Sequence, residues 1–109
     1  MKRVVITGMG IYSCLGNGLD AVRESLYNGK SGIVFDPVRK EMGFRSALTS
    51  YLEVPDLKKA LSRSQRVYMP EQAKYAYVAT AEALKNAGID QDYLDSHEVG
   101  LMYGNDSSA

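Results

Sequence analysis

The apolar positions of the chain change period several times. Val4-Val5-Ile6-Thr7 is a short β-branched run stopped by glycine, which predicts a buried strand. Residues 19–28, "LDAVRESLYN", place Leu19, Val22 and Leu26 on one helical face, and Gly29 is the expected C-terminal stop. Asn17 is the candidate N-cap of that helix. Ile33 to Phe35 predicts a second short strand, halted by Pro37. From 36 to 69 no clean period holds. Gly43 and Pro55 interrupt the segment, and "DLKKALSRSQR", Asp56 to Arg66, reads as a short basic helix.

The clearest element follows. "PEQAKYAYVATAEALKNAG" begins with Pro70 near a first turn and ends at Gly88. Glu71 in the first turn and Lys85 in the last suit the helix dipole. Ala73, Ala76, Ala79, Ala81, Ala83 and Ala87 let another element approach closely, so a packed helix is expected. Asp90 caps one further short turn through Leu94. "EVGLMYG" then predicts a buried strand over Val99 to Tyr103, ended by Gly104-Asn105-Asp106. Strand, helix, irregular segment, long helix, strand is an α/β order. The turn after that last strand stands where such a fold launches another helix, so the chain is expected to stop within a domain.

Composition narrows the function classes. At 109 residues the chain is one domain or part of one. Its 13 basic and 13 acidic residues cancel, which argues against a general nucleic-acid binder. No apolar run approaches the ~20 residues of a membrane span, and no signal peptide is visible. A single cysteine makes no internal disulfide, which fits a reducing cytoplasm.

The opening "VVITGMGIYSCLGNG" holds the candidate chemistry. A dinucleotide loop wants G-x-G-x-x-G after a strand, so that backbone amides and a helix N-terminus hold the pyrophosphate. Here the string is Gly8-x-Gly10-x-x-Ser13, and the third glycine is absent. A reductase-type T-G-x-x-x-G-x-G needs glycine where Tyr12 and Cys14 stand. Asp36 alone fits, as a ribose-binding acid. A nucleophilic Cys14 needs a base, and His97, the one histidine, lies far off in sequence. A lone cysteine is usually a small buried residue. The third reading is a turn that feeds a strand into a helix, with glycines for the bend.

Taken together, "VVITGMGIYSCLGN", "SLYNGKSGI", "GFRS" (Gly43 to Ser46), "RVYM" (Arg66 to Met69), "YAYVATAEALKNAGI" and "VGLMYG" resemble the amino-terminal segment of the β-ketoacyl-acyl-carrier-protein synthases. These are the condensing enzymes of fatty acid synthesis. The similarity runs in order through essentially the whole chain. It is closer to the type I synthases, chiefly through "SGI…GFRS". The resemblance implies the amino-terminal part of a thiolase-like layered α/β/α fold, working as a cytoplasmic homodimer with no metal or other cofactor. It implies an acyltransferase that loads an acyl chain onto a cysteine, decarboxylates malonyl-carrier protein and joins the two by Claisen condensation.

It also implies which residues matter. The nucleophilic cysteine and both histidines are expected beyond Ala109, so residues 1–109 carry no catalytic group and are expected to be inactive and poorly stable alone. Cys14 matches a position commonly proline or serine, and His97 matches no catalytic histidine. Acyl carrier protein docking falls on Lys58, Lys59, Arg63 and Arg66, although Val67 intervenes between Arg66 and Tyr68 in the family's Arg-x-x-Arg-Phe/Tyr-Met pattern. Asp106 and Ser107 fall at the acyl pocket or dimer interface, where the family's later glycines are replaced. Two alternatives stand beside this reading: a non-catalytic condensing-enzyme-like partner subunit, and a dinucleotide-binding oxidoreductase domain.

Overall fold

Gly8 and Gly10 lie against the backbone of a long helix, and this contact organises the first part of the molecule. A computed structural model describes residues 2–105. The chain divides into two units, one of the residues up to Tyr12 with those from Val54 onward, the other Ser13–Glu53. The expectations for Asp106 and Ser107 lie outside the described residues.

In the first unit the long helix runs Glu71–Ala87, close to the predicted bounds, from an extended Pro70 to a left-handed Gly88 at φ 70°. A Cβ on Gly8 would sit 2.5 Å from the Ala83 carbonyl oxygen and 2.7 Å from the Ala87 Cβ. One on Gly10 would run into the Ala79 carbonyl oxygen and come within 2.6 Å of the Ala83 nitrogen. Ala79, Ala83 and Ala87 are spaced by four, so they form one stripe along the helix. Small residues on both sides thus bring the two backbones together. Polar side chains of the same helix fasten the strip. The Met9 N–H donates to Asn86 Oδ1 at 3.1 Å and the Ile11 N–H to Glu82 Oε2 at 2.9 Å. Tyr12 stacks on Tyr75, ring centroids 5.6 Å apart.

Shorter helices complete this unit. Ser62 starts Arg63–Val67 with a capping box, in which Gln65 Oε1 accepts from the Ser62 N–H at 2.9 Å. Residues 58–60 form a turn, so the predicted basic helix is only half realised. Asp90 caps Gln91–Ser96 by accepting from the Tyr93 N–H at 2.9 Å, and the helix runs two residues further than predicted.

Tyr12–Ser13 (β1), at the sequence boundary between the units, pairs with Gly16–Asn17 (β2). The helix Leu19–Tyr27 (α1) begins from Gly18, not from an Asn17 side-chain cap. Its buried face is also corrected. Val22 and Ser25 are buried, and Leu26 is 64% exposed. Ser25 turns inward because its hydroxyl donates to the Leu15 carbonyl at 2.6 Å, meeting a backbone acceptor that an apolar side chain cannot. Ile33–Phe35 (β3) is the predicted strand. It pairs antiparallel with Leu48–Ser50 (β4), Val34 opposite Thr49. Between them Asp36 caps Pro37–Glu41 (α2), accepting from the N–H groups of Val38 at 3.0 Å and Arg39 at 3.3 Å. In chain order the helices of the first unit, Arg63–Val67, Glu71–Ala87 and Gln91–Ser96, are then α3, α4 and α5.

Helix and strand are both present, but two predicted strands are not formed. Val4 to Thr7 and Val99 to Tyr103 join no ladder, and Val4 and Met102 are 95% and 97% exposed. A strand buried on both faces needs hydrogen-bonding neighbours and a covering layer. Among the described residues neither segment has them. Among the described residues, the buried apolar side chains are Val22 in one unit and Leu57 in the other.

Two substitutions test these contacts in the intact protein. Gly10→Ala is expected to cost about 2–4 kcal/mol in urea denaturation, because the added methyl meets α4 backbone that does not yield. Ser25→Ala is expected to cost about 1–2 kcal/mol by stranding the Leu15 carbonyl.

Candidate functional site

The chemistry-bearing residues separate into local structural groups and one basic pocket. Cys14 is half-buried and its sulfur packs on Gly32, where a Cβ would stand 2.5 Å from Sγ. This is the environment of a small packing residue. His97 terminates α5, its ring stacked on Tyr93 at 4.0 Å, and its Nδ1 lies 3.1 Å from the Tyr93 carbonyl and 2.9 Å from Ser96 Oγ. It is a helix-end residue. Asp36 is occupied in capping α2, so the one feature that suited ribose binding has a local task. The glycine loop gives its amides to side chains of α4, not to an open helix N-terminus.

The basic pocket lies in the first unit. It occupies about 350 Å³, and its lining includes Asp56, Leu57, Lys58, Arg63, Arg66 and Lys74, together with Pro55 and Val67. Each wall has a sequence cause. Leu57 is buried, and its carbonyl accepts from the Leu61 N–H at 2.9 Å, which fixes the turn before α3. Asp56 accepts from the Lys58 N–H at 3.0 Å, an Asx turn that brings Lys58 back beside it. The Lys58 ammonium lies 4.0 Å from the Asp56 carboxylate, both about seven-tenths exposed, so the ion pair is weak. The capping box starts α3 and puts Arg63 in its first turn. Half-buried Arg66 is held through Nε, which donates to the Leu61 carbonyl at 3.1 Å and leaves the rest of the guanidinium available.

Of the four expected docking residues, the structure gathers Lys58, Arg63 and Arg66 around this pocket, and Lys59 does not line it. It adds Lys74, which sequence reasoning passed over. A signal was present: Lys74 stands about one turn into α4, near a helix N-terminus where a cation is disfavoured. Among the described residues no carboxylate pairs with Arg63, Arg66 or Lys74. The pocket therefore holds four cations and one carboxylate, and its chemistry is anion binding.

A second concavity in the same unit, about 480 Å³, is apolar. Alanines of α4 line it with Met69, Tyr77, Leu84, Leu101 and Tyr103. Leu101 and Tyr103 line it, yet Leu101, Met102 and Tyr103 are all largely exposed, so this segment is not covered as a strand would be.

Comparison with known proteins bears on the whole chain. Residues 1–109 match the family model described as Beta-ketoacyl synthase, N-terminal domain. The chain is 39% identical over 109 residues to 3-oxoacyl-acyl-carrier-protein synthase 1 of Buchnera aphidicola subsp. Acyrthosiphon pisum, covering 99% of this chain and 27% of that protein. It is 35% identical over 105 residues to the synthase of the same name from Escherichia coli, covering 95% and 26%. The chloroplastic 3-oxoacyl-acyl-carrier-protein synthase I of Arabidopsis thaliana is 33% identical over 110 residues, covering 94% and 22%. The chain thus spans about a quarter of the length of the curated relatives it matches. With the match running from end to end, the chain belongs to the β-ketoacyl synthase family, in its N-terminal domain.

Proposed function

We propose that the chain is the amino-terminal part of a 3-oxoacyl-carrier-protein synthase, and that the intact protein elongates acyl chains in fatty acid biosynthesis. The end-to-end similarity to named 3-oxoacyl-acyl-carrier-protein synthases carries this reading. It favours a condensing enzyme over both the dinucleotide-binding domain and the non-catalytic partner. In the reaction, the acyl group passes from the carrier thiol to an enzyme cysteine, and the carrier thiol leaves. Malonyl-carrier protein loses carbon dioxide, and the resulting carbanion attacks the acyl-enzyme carbonyl, expelling the cysteine thiolate. An oxyanion hole and two histidines bear the developing charge.

On this reading residues 1–109 supply scaffold and docking. The cysteine and histidines that do the chemistry lie beyond Ala109, in a thiolase-like layered fold that acts as a cytoplasmic homodimer. The strip at Gly8–Ile11 and α4 is the packing unit of that fold. The basic pocket receives the acyl carrier protein through Arg63, Arg66 and Lys58. Lys59, outside the pocket, steers at longer range. Asp106 and Ser107 contribute to the acyl pocket or dimer interface.

Condensation of acyl- and malonyl-carrier protein by the intact protein tests the reading. Cys14→Ala is expected to keep kcat within about twofold, because a packing cysteine exchanged for a small residue leaves the chemistry intact. Loss of all activity in a folded Cys14→Ala protein would make Cys14 the nucleophile and overturn the assignment. Arg63→Glu is expected to raise KM for carrier-bound substrates about tenfold with kcat little changed, an effect that weakens as salt rises.

A further inference from the structure

The basic pocket has a shape that its sequence neighbours alone do not produce. Its cations come from three places: the turn at Lys58, helix α3 with Arg63 and Arg66, and helix α4 with Lys74. The first two are close in sequence, so a solvated basic segment would explain them. Lys74 lies outside that segment, half-buried, with its charge placed where the α4 N-terminus opposes it. A cation kept against both its own helix and three like-charged neighbours gains from a bound anion.

We propose that Lys74 is a specificity-determining residue of the carrier-docking site, closing the pocket around acidic side chains inserted by the protein partner. This rests on the docking reading above and changes its membership: Lys74 belongs inside, and Lys59 does not. Three observations favour an acidic protein over a small phosphate. Lys58 and Arg63 are exposed, so each contributes little to a lone ion in water. Among the described residues no buried cation lines the pocket. The cations also surround about 350 Å³, more than a single carboxylate or phosphate fills, which suits side chains from a larger acidic surface. Arg66, fixed by the Leu61 carbonyl, provides a rigid wall against which Lys74 closes.

Calorimetric titration of the intact protein with acyl carrier protein, at two salt concentrations, tests the assignment. Lys74→Glu and the milder Lys74→Gln are expected to raise Kd about three- to tenfold and flatten its salt dependence, while Lys74→Arg retains parent affinity. Lys59→Glu is expected to raise Kd by about twofold, less than Lys74→Glu does, as a screened charge outside the pocket should. Unchanged affinity in Lys74→Glu and Lys74→Gln, with Arg63→Glu impaired, would remove Lys74 and leave the docking site standing. Unchanged affinity in Lys74→Glu and Arg63→Glu alike would remove the docking reading itself. Inorganic phosphate at matched ionic strength is the last arm. If it displaced the carrier from the parent protein but not from Lys74→Gln, the pocket would be a phosphate site and the proposal would fall.

Discussion

The close approach of the Gly8–Gly10 backbone to the Ala79, Ala83, Ala87 stripe of α4 is the constraint on which the first unit depends. Two backbones can come this near only where neither carries a side chain of size. The amides left in the strip then need partners, because its neighbours there are helix carbonyls already committed to their own ladder. Asn86 and Glu82 provide them from the helix itself. Glycine, alanine and two polar side chains thus form one device, which explains why the opening glycines are not free to cradle a phosphate.

The consequences reach the pocket. The strip holds α4, and the first turns of α4 carry Lys74. Leu57, buried and apolar, anchors the turn that leads into α3. Arg66 ties itself to the carbonyl of Leu61 in that same turn. The cations are therefore displayed from backbone that local hydrogen bonds fix, which lowers the entropy lost when an anion is bound.

Most helices were legible because their signals are local, whereas α2 at Pro37–Glu41, short and without an apolar period, went unread despite its Asp36 cap. Gly29 and Gly88 mark helix ends, and Asp90 caps where an acceptor before a polar turn should cap. The strands at Val4–Thr7 and Val99–Tyr103 were legible as patterns but not as structure, since a ladder depends on neighbours that no local signal supplies. Ser25 and Leu26 exchanged roles for a similar reason. The Leu15 carbonyl that draws Ser25 inward lies ten positions back, outside the helical period. Lys74 was missed because it sits across a helix boundary from the basic run, and only the fold joins them.

Overall charge says little about such a site. The 13 basic and 13 acidic residues cancel in the sum. Screening confines each exposed charge to about 8 Å at physiological salt, so distant carboxylates do not neutralise a local cluster. What a partner meets at the pocket is four cations and the single carboxylate of Asp56. Neutral composition argues against a chain that grips nucleic acid along its whole surface, and it leaves room for one concentrated anion site. A partner that is acidic on one face is attracted to that site and is not repelled by the rest of the chain, so selectivity arises from where the charges stand.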